Sequence, residues 1–276
     1  MKPARAVPVL MYHHVSPHPG LVTVSPHTFE QQMARLARGG YTALTAGRFL
    51  SFLKGERTVP DKSVLITFDD GFLDNYVHAF PVLQRLGLHA VIFAVTGWIG
   101  EGDPRPHAGE AGGAGLPDCP NHKECAQAIA GGRADDVMLR WSEIARMEAS
   151  GAVEIHSHTH SHLRWDQLYP DRDVRLAKVE EDLRRSRDAL RARLGRADIH
   201  LCWPWGYFEP EYQLIASELG FTAQYTVAKG LNRPGDDPRH IHRIVVKDRA
   251  GSWLPSRLRI YRQPWLGGLY LKLRGQ

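Results

Sequence analysis

Val64-Leu65-Ile66-Thr67-Phe68-Asp69-Asp70-Gly71 runs an apolar β-type segment directly into two adjacent carboxylates and a glycine. Asp-Asp-Gly alone is an ordinary turn, since Asp tolerates turn geometry and Gly supplies positive φ. A second run changes that reading. His156-Ser157-His158-Thr159-His160-Ser161-His162 crowds four imidazoles into one segment, again at the end of a predicted strand. A histidine cluster by itself also fits a surface patch or an adventitious metal binder. Together the two runs supply what a hydrolytic metal centre needs: carboxylate and imidazole ligands, and a spare carboxylate to take a proton from water.

Outward from these runs, apolar segments alternate with helical patterns, which argues for βα units around a mainly parallel sheet. Strands are predicted at 7–12, 41–44, 63–68, 88–95, 152–156, 199–203, 221–226 and 241–247. One helix is expected after Ser25 as N-cap, with Phe29, Met33 and Leu36 on one face. Others are expected over 72–86, 172–194 and 209–219, stopped by Gly87, Gly195 and Gly220. No internal repeat is visible, and 276 residues suit one large domain.

The net charge of +5 is mild, and no helix-turn-helix, zinc-finger or RNA-recognition signature accompanies it, so no nucleic-acid partner is expected. The first residues, Met1 to Pro8, lack the apolar core of a signal peptide, and no apolar run is long enough to span a bilayer. A cytoplasmic location is therefore expected. Three cysteines, Cys119, Cys125 and Cys202, argue against a disulfide framework. Cys119, His122 and Cys125 fall short of a structural zinc set.

Two stretches depart from the βα pattern. Residues 100–135 are rich in Gly, Pro and Ala and read as an insertion, either a substrate-shaping lid or disorder. Residues 249–276 contain Arg249, Arg257, Arg259, Arg262, Lys272 and Arg274 and no acid, interleaved with Trp253, Tyr261, Trp265 and Tyr270. This suits peripheral contact with an anionic membrane, or equally a helix packed on the barrel wall. The chain accordingly divides into 1–248, carrying the insertion, and a basic aromatic tail over 249–276.

Thr67-Phe68-Asp69-Asp70-Gly71 resembles the first motif of the polysaccharide deacetylases, the NodB-homology or carbohydrate esterase family 4 group. His158-Thr159-His160-Ser161-His162 resembles their His-Ser/Thr-x-x-His motif, and Trp203-Pro204-Trp205-Gly206 a version of the third. Val7-Pro8-Val9-Leu10-Met11-Tyr12-His13-His14-Val15 is similar to the opening strand of the poly-N-acetylglucosamine deacetylase branch. The resemblance covers roughly residues 7 to 247 and implies a distorted (β/α)7-type barrel with its site at the C-terminal ends of the strands.

It also implies roles. Asp70, His158 and His162 would hold a divalent metal, zinc first, with cobalt, nickel and iron also suited to such donors. His156 and His160 share the same spacing; the register is chosen because Thr159 falls where the family has Ser or Thr, and His156 stands where Gly is common. Asp69 would be the general base, and a backbone N–H at Trp205 would stabilise the oxyanion. Many members carry an Arg two residues before the motif's Pro, where this chain has Cys202; Arg243 is the candidate substitute for orienting Asp69. No late Leu-x-His copy is evident, so His13 is the first candidate acid, His14 the second and His242 the outside one. Trp98, Trp141, Trp203 and Trp205 are candidate sugar platforms, Trp205 foremost.

The function implied is hydrolysis of the N-acetyl group of an N-acetylated amino sugar in a polysaccharide, oligosaccharide or lipid-linked glycan. The alternatives are a metal amidohydrolase acting on a small non-sugar amide, and an inactive carbohydrate-binding relative.

Overall fold

A computed structural model describes residues 2–110 and 115–273. The chain opens with β1 (Val9–Tyr12), a small parallel ribbon of β2 (His14–Val15) and β3 (Thr23–Val24), α1 (Pro26–Arg38), β4 (Thr42–Ala43), α2 (Ala46–Leu53) and β5 (Ser63–Phe68). A π-turn over Asn75–Ala79 leads into α3 (Phe80–Leu86), followed by β6 (Ala90–Ala94), α4 (His122–Ala130), α5 (Trp141–Ala149) and β7 (Val153–Ser157). Then come α6 (Trp165–Leu168), α7 (Arg172–Leu194), β8 (His200–Cys202), α8 (Pro210–Glu218), β9 (Ala223–Tyr225), β10 (Ile244–Val245), α9 (Trp253–Tyr261) and α10 (Pro264–Leu273).

Seven strands lie in the order β10-β1-β5-β6-β7-β8-β9, every neighbouring pair parallel, with β4 attached beside β5. A further parallel bridge joins Tyr225 to Ile241, just before β10, so the segment 241–245 touches both ends of the row and closes it. This is the distorted (β/α)7 barrel that the resemblance implies. Its distortion comes from two- and three-residue strands at the closing seam.

The period of two along each strand sorts the side chains. Leu10, Ile66, Phe68, Ile92, Ile155 and Ile244 face outward and pack against Phe29, Met33 and Leu36 of α1, Phe80 and Leu83 of α3, and Ile144 and Met147 of α5. Val9, Leu65, Val91, Phe93, Cys202, Ala223, Tyr225 and Ile241 face inward, with Phe49, Phe52 and Leu53 of α2 packed into the same cluster. Phe93 is fully buried there, and truncating such a ring to Ala costs about 3–5 kcal/mol. That rigid lumen is the floor on which the polar layer stands.

The expected helix signals fall where the chain places them. Ser25 caps α1 by accepting from Thr28 N–H. Gly87 and Gly195 end α3 and α7 in the left-handed conformation that glycine adopts at least cost, and Gly220 follows α8 at φ +96°. Two stretches gain detail. Residues 100–135 are not one structureless excursion: α4 lies inside them, started by a capping box between Asn121 and Glu124. Cys125 is buried with Phe72, Ala128, Val137 and Met138, and Cys119 is a buried free thiol in the outer core. Residues 111–114 of that stretch lie outside the described residues. The tail is helical, with Leu254, Leu258 and Tyr261 of α9 packed into the outer core; Arg274 lies outside the described residues.

Candidate active site

β5 ends by delivering Asp69 and Asp70 to the rim of the barrel. Asp69 N–H is anchored on Tyr12 O, and Val95 N–H donates to Asp70 O. Asp70 sits at φ +72° and Gly71 at φ +82°, where a Cβ would lie 3.1 Å from that of Ala94. The chain therefore turns sharply here, and the two carboxylates diverge. Left-handed non-glycine residues cost of order 1–3 kcal/mol and collect at functional sites. Asp70, Thr159, His162 and Trp205 are four of the five such residues among those described, and the fifth, Val22, lines the same cleft.

Asp70 is buried, and its Oδ1 lies 3.3 Å from His158 Nε2 and 3.3 Å from His162 Nε2 without a hydrogen-bond partner. His158 N–H is tied to Ala94 O, and its Nδ1 lies 2.8 Å from Cys202 O. A carbonyl only accepts, so His158 carries a proton on Nδ1 and directs Nε2 at Asp70. The 158–162 segment is a loop rather than a helix. Thr159 at φ +68° and His162 at φ +55° bend it until the two rings stand 5.0 Å apart. Asp182 on α7 holds that loop by accepting from His160 N–H, 2.9 Å, and from the Ser161 hydroxyl.

This arrangement separates the two histidine registers. His160 Nδ1 lies 3.0 Å from Thr96 Oγ1, and His156 turns into the lumen with Nδ1 2.7 Å from Asp198 Oδ1. Burial opposes a charge on His156, but Asp198 and Glu154 outweigh it and push its pKa up to about 9. Only His158 and His162 converge with Asp70 in a cluster whose ligand atoms lie within 4.8 Å of one another. An unpartnered buried carboxylate oxygen facing two imidazole nitrogens fits a divalent cation bound by one carboxylate and two histidines. Burial works against the Asp70 charge, yet the neighbouring imidazoles hold its carboxyl far below the usual range.

Asp69 takes a different partner. Arg243, fully buried, donates from Nη1 to Asp69 Oδ1 at 2.6 Å and from Nη2 to Asp69 Oδ2 at 2.8 Å. The guanidinium is held in turn by Thr226 O at 2.8 Å, Thr67 Oγ1 at 3.3 Å and the Cys202 sulfur at 3.0 Å. Burial raises a carboxyl's pKa, but Arg243 reverses the balance and keeps Asp69 below the ordinary range. The small Cys202 leaves room for a guanidinium arriving from the closing seam.

The three candidate acids part company. His13 lines the cleft, 17% exposed, with Nε2 3.8 Å from Asp69 Oδ2. Burial lowers its pKa against the pull of Asp69 and Asp70. His14 points the other way, fully buried against Asp74. His242 lies away from the cleft beside Gly230.

The cleft, of about 320 Å³, is lined by Met11, Leu21, Val22 and His122 besides the groups above. Trp205 is 62% exposed and stands 5.2 Å from the His162 ring. Its turn is closed by Gly206 N–H on Trp203 O and Tyr207 N–H on Pro204 O. Trp203 is core, packed with Phe208 and Tyr212, and Trp141 lies under Arg193. Trp98 also stands beside His162, with ring centroids 5.1 Å apart. Sequence reasoning missed His122 and Asp74; a lone histidine between two cysteines and an acid three residues past the motif carry no local signal of their meeting.

Residues 56–224 match the family model described as polysaccharide deacetylase. The poly-β-1,6-N-acetyl-D-glucosamine N-deacetylase of Staphylococcus aureus is 24% identical over 240 residues, 85% of this chain and 71% of that protein. IcaB from Ammonifex degensii is 26% identical and superposes with a TM-score of 0.72 over 95% of this chain and 99% of its own. The fold of the Streptococcus pyogenes deacetylase PplD superposes with a TM-score of 0.69 at 22% identity, over 95% of this chain and 100% of that one. The motifs, the barrel and the convergent carboxylates and imidazoles thus have one common source: this chain belongs to the polysaccharide deacetylase family.

Proposed function

We propose that the protein hydrolyses the N-acetyl group of an N-acetylated amino sugar within a glycan, with β-1,6-linked N-acetylglucosamine oligomers as the first substrate to try. The observation that carries this is the pairing of two different carboxylates at one strand end. Asp70 faces two imidazoles with an orphan oxygen, while Asp69 is clamped by Arg243 and free of that duty.

Asp70, His158 and His162 would hold a divalent ion, zinc first, with cobalt, nickel or iron suited to the same donors. When bound, such an ion supplies Lewis-acid polarisation of the acetyl carbonyl and a lowered pKa for the attacking water. Asp69, kept ionised by Arg243, accepts the proton of the water that adds to the carbonyl carbon. Trp205 N–H, at the strained turn, is the donor for the developing oxyanion. His13, next to Asp69, passes the proton to the departing nitrogen as the C–N bond breaks, so free amine and acetate result.

The test is acetate release from those oligomers by metal-reconstituted protein, beside acetamide as a small non-sugar amide. Release from the oligomers alone supports the glycan reading. Release from acetamide alone shifts it to a small-amide hydrolase.

The exposed face of α10 supports a second element of the proposal, contact with an anionic membrane surface. Trp265, Leu269 and Leu273 are exposed at spacings of four, and Arg259 and Lys272 are exposed nearby. No described helix is long and apolar enough to cross a membrane.

A further inference from the structure

Among the described residues, the insertion contributes one side chain to the cleft, that of His122 at the start of α4. Its Nδ1 lies 3.2 Å from Nε2 of the fully buried His14. His14 Nδ1 in turn lies 2.6 Å from Asp74 Oδ2, and its ring stacks on Phe72 with centroids 3.8 Å apart. Asp74 is fixed as well, accepting on Oδ1 from Val15 N–H at 3.1 Å and from Asn75 Nδ2 at 2.7 Å. Three separate elements thus converge on a histidine that the acetyl-transfer chemistry above does not use.

The proton positions follow from the donor inventory. A carboxylate only accepts, so His14 donates from Nδ1 to Asp74. With that as its single ring proton, His14 offers a lone pair on Nε2, and His122 donates to it from Nδ1. That leaves the Nε2 lone pair of His122 for the cleft. Burial lowers the pKa of His122 and favours this neutral form. The hydrogen bond made by one ring nitrogen decides what the other offers.

We propose that His122 is a substrate-binding residue whose Nε2 accepts a hydrogen bond from a sugar hydroxyl, oriented by Asp74 through His14. This rests on the glycan deacetylase reading and deepens it: an acceptor fixed by a buried relay selects a polyhydroxylated substrate over a small amide. His14 and Asp74 are positioning residues.

Two measurements test it on the whole, zinc-loaded protein. Ring ¹⁵N NMR, with His122 assigned through His122→Gln, reads the tautomer directly. A proton on Nδ1 and none on Nε2 of His122 is expected; a proton on Nε2 overturns the proposal whatever the activity. In kinetics on N-acetylglucosamine oligomers, His122→Ala should raise KM about tenfold, the size of one neutral hydrogen bond, with the loss in KM rather than kcat. His122→Gln, which retains an acceptor oxygen, should recover part of it. One monodeoxy substrate should lose the same factor on wild type and nothing further on His122→Ala. An unchanged KM in a folded His122→Ala protein overturns the proposal. Wild type that releases no acetate from any oligomer overturns the deacetylase reading, and with it the ligand named here.

Discussion

Arg243 grips Asp69 through two parallel N–H···O bonds of 2.6 and 2.8 Å across 174 residues of sequence, with both side chains buried and Asp69 lining the cleft. The fork geometry of a guanidinium fixes both oxygens of the carboxylate, which an ammonium cannot do. Arg243→Lys should therefore keep the fold and lower kcat/KM by roughly a hundredfold, since small misplacements of a reacting group have costs of that order. Melting temperature and steady-state kinetics on the same preparation separate the two effects.

Arg243→Met is the harsher change, because it leaves a buried carboxylate unpaired. A loss of about 3–5 kcal/mol in unfolding free energy is expected. Asp69 has a depressed folded pKa, so the stability from the pair is present above the unfolded carboxylate pKa and is lost as pH falls through the folded one. Arg243→Met removes the largest charge that opposes burial, leaving His13 and His158 to do so, and the Asp69 pKa rises relative to wild type. The acid limb of kcat/KM against pH should then move upward, and an unmoved limb would count against Asp69 as the base.

Metal uptake should release protons. Burial lowers the affinity of His158 for a proton, but Cys202, Asp70 and Asp69 outweigh it and set its pKa well above the ordinary value. A cation at Asp70, His158 and His162 therefore displaces about one proton near neutral pH. Affinity should rise with pH until it passes the folded pKa of His158. Titration calorimetry in buffers of different ionisation enthalpy measures that proton, and Asp70→Asn should abolish the binding.

The third motif offers a contrast within two adjacent residues. A Cβ on Gly206 would lie 2.2 Å from Val227 Cγ2, and the residue sits at φ +66°. Gly206→Ala should displace the turn that presents Trp205 N–H and lower kcat. Trp205→Ala keeps that backbone N–H and removes an exposed ring, so its loss should fall on KM for oligomers, about 1–2 kcal/mol in kcat/KM. Kinetics on both variants distinguish backbone donor from side-chain platform.

Much of this was legible because it is local. The strand ending at Phe68 carries its carboxylates with it, and Gly87 and Gly195 mark where helices stop because left-handed backbone favours glycine. Arg243 was legible as a substitute only because Cys202 left a charge unaccounted for; its bidentate hold on Asp69 depends on the seam at Ile241. The β2–β3 ribbon, α4 and the meeting of His14 with His122 were not legible. The ribbon strands are only two residues long and α4 only nine, too short for a periodicity to show, and His14 meets His122 across 108 residues of sequence. At 158–162 equal spacing fits both histidine pairs; the resemblance at Thr159 chose between them, and the left-handed turns at Thr159 and His162 are what make that pair converge.

The most direct measurement is acetate release from β-1,6-linked N-acetylglucosamine oligomers by wild type and Asp69→Asn, each with its bound metal quantified. Asp69→Asn leaves Asp70, His158 and His162 in place, so metal content should match wild type while turnover falls by at least about a thousandfold. Equal metal content with equal turnover in the two proteins would contradict the assignment of Asp69 as the proton acceptor.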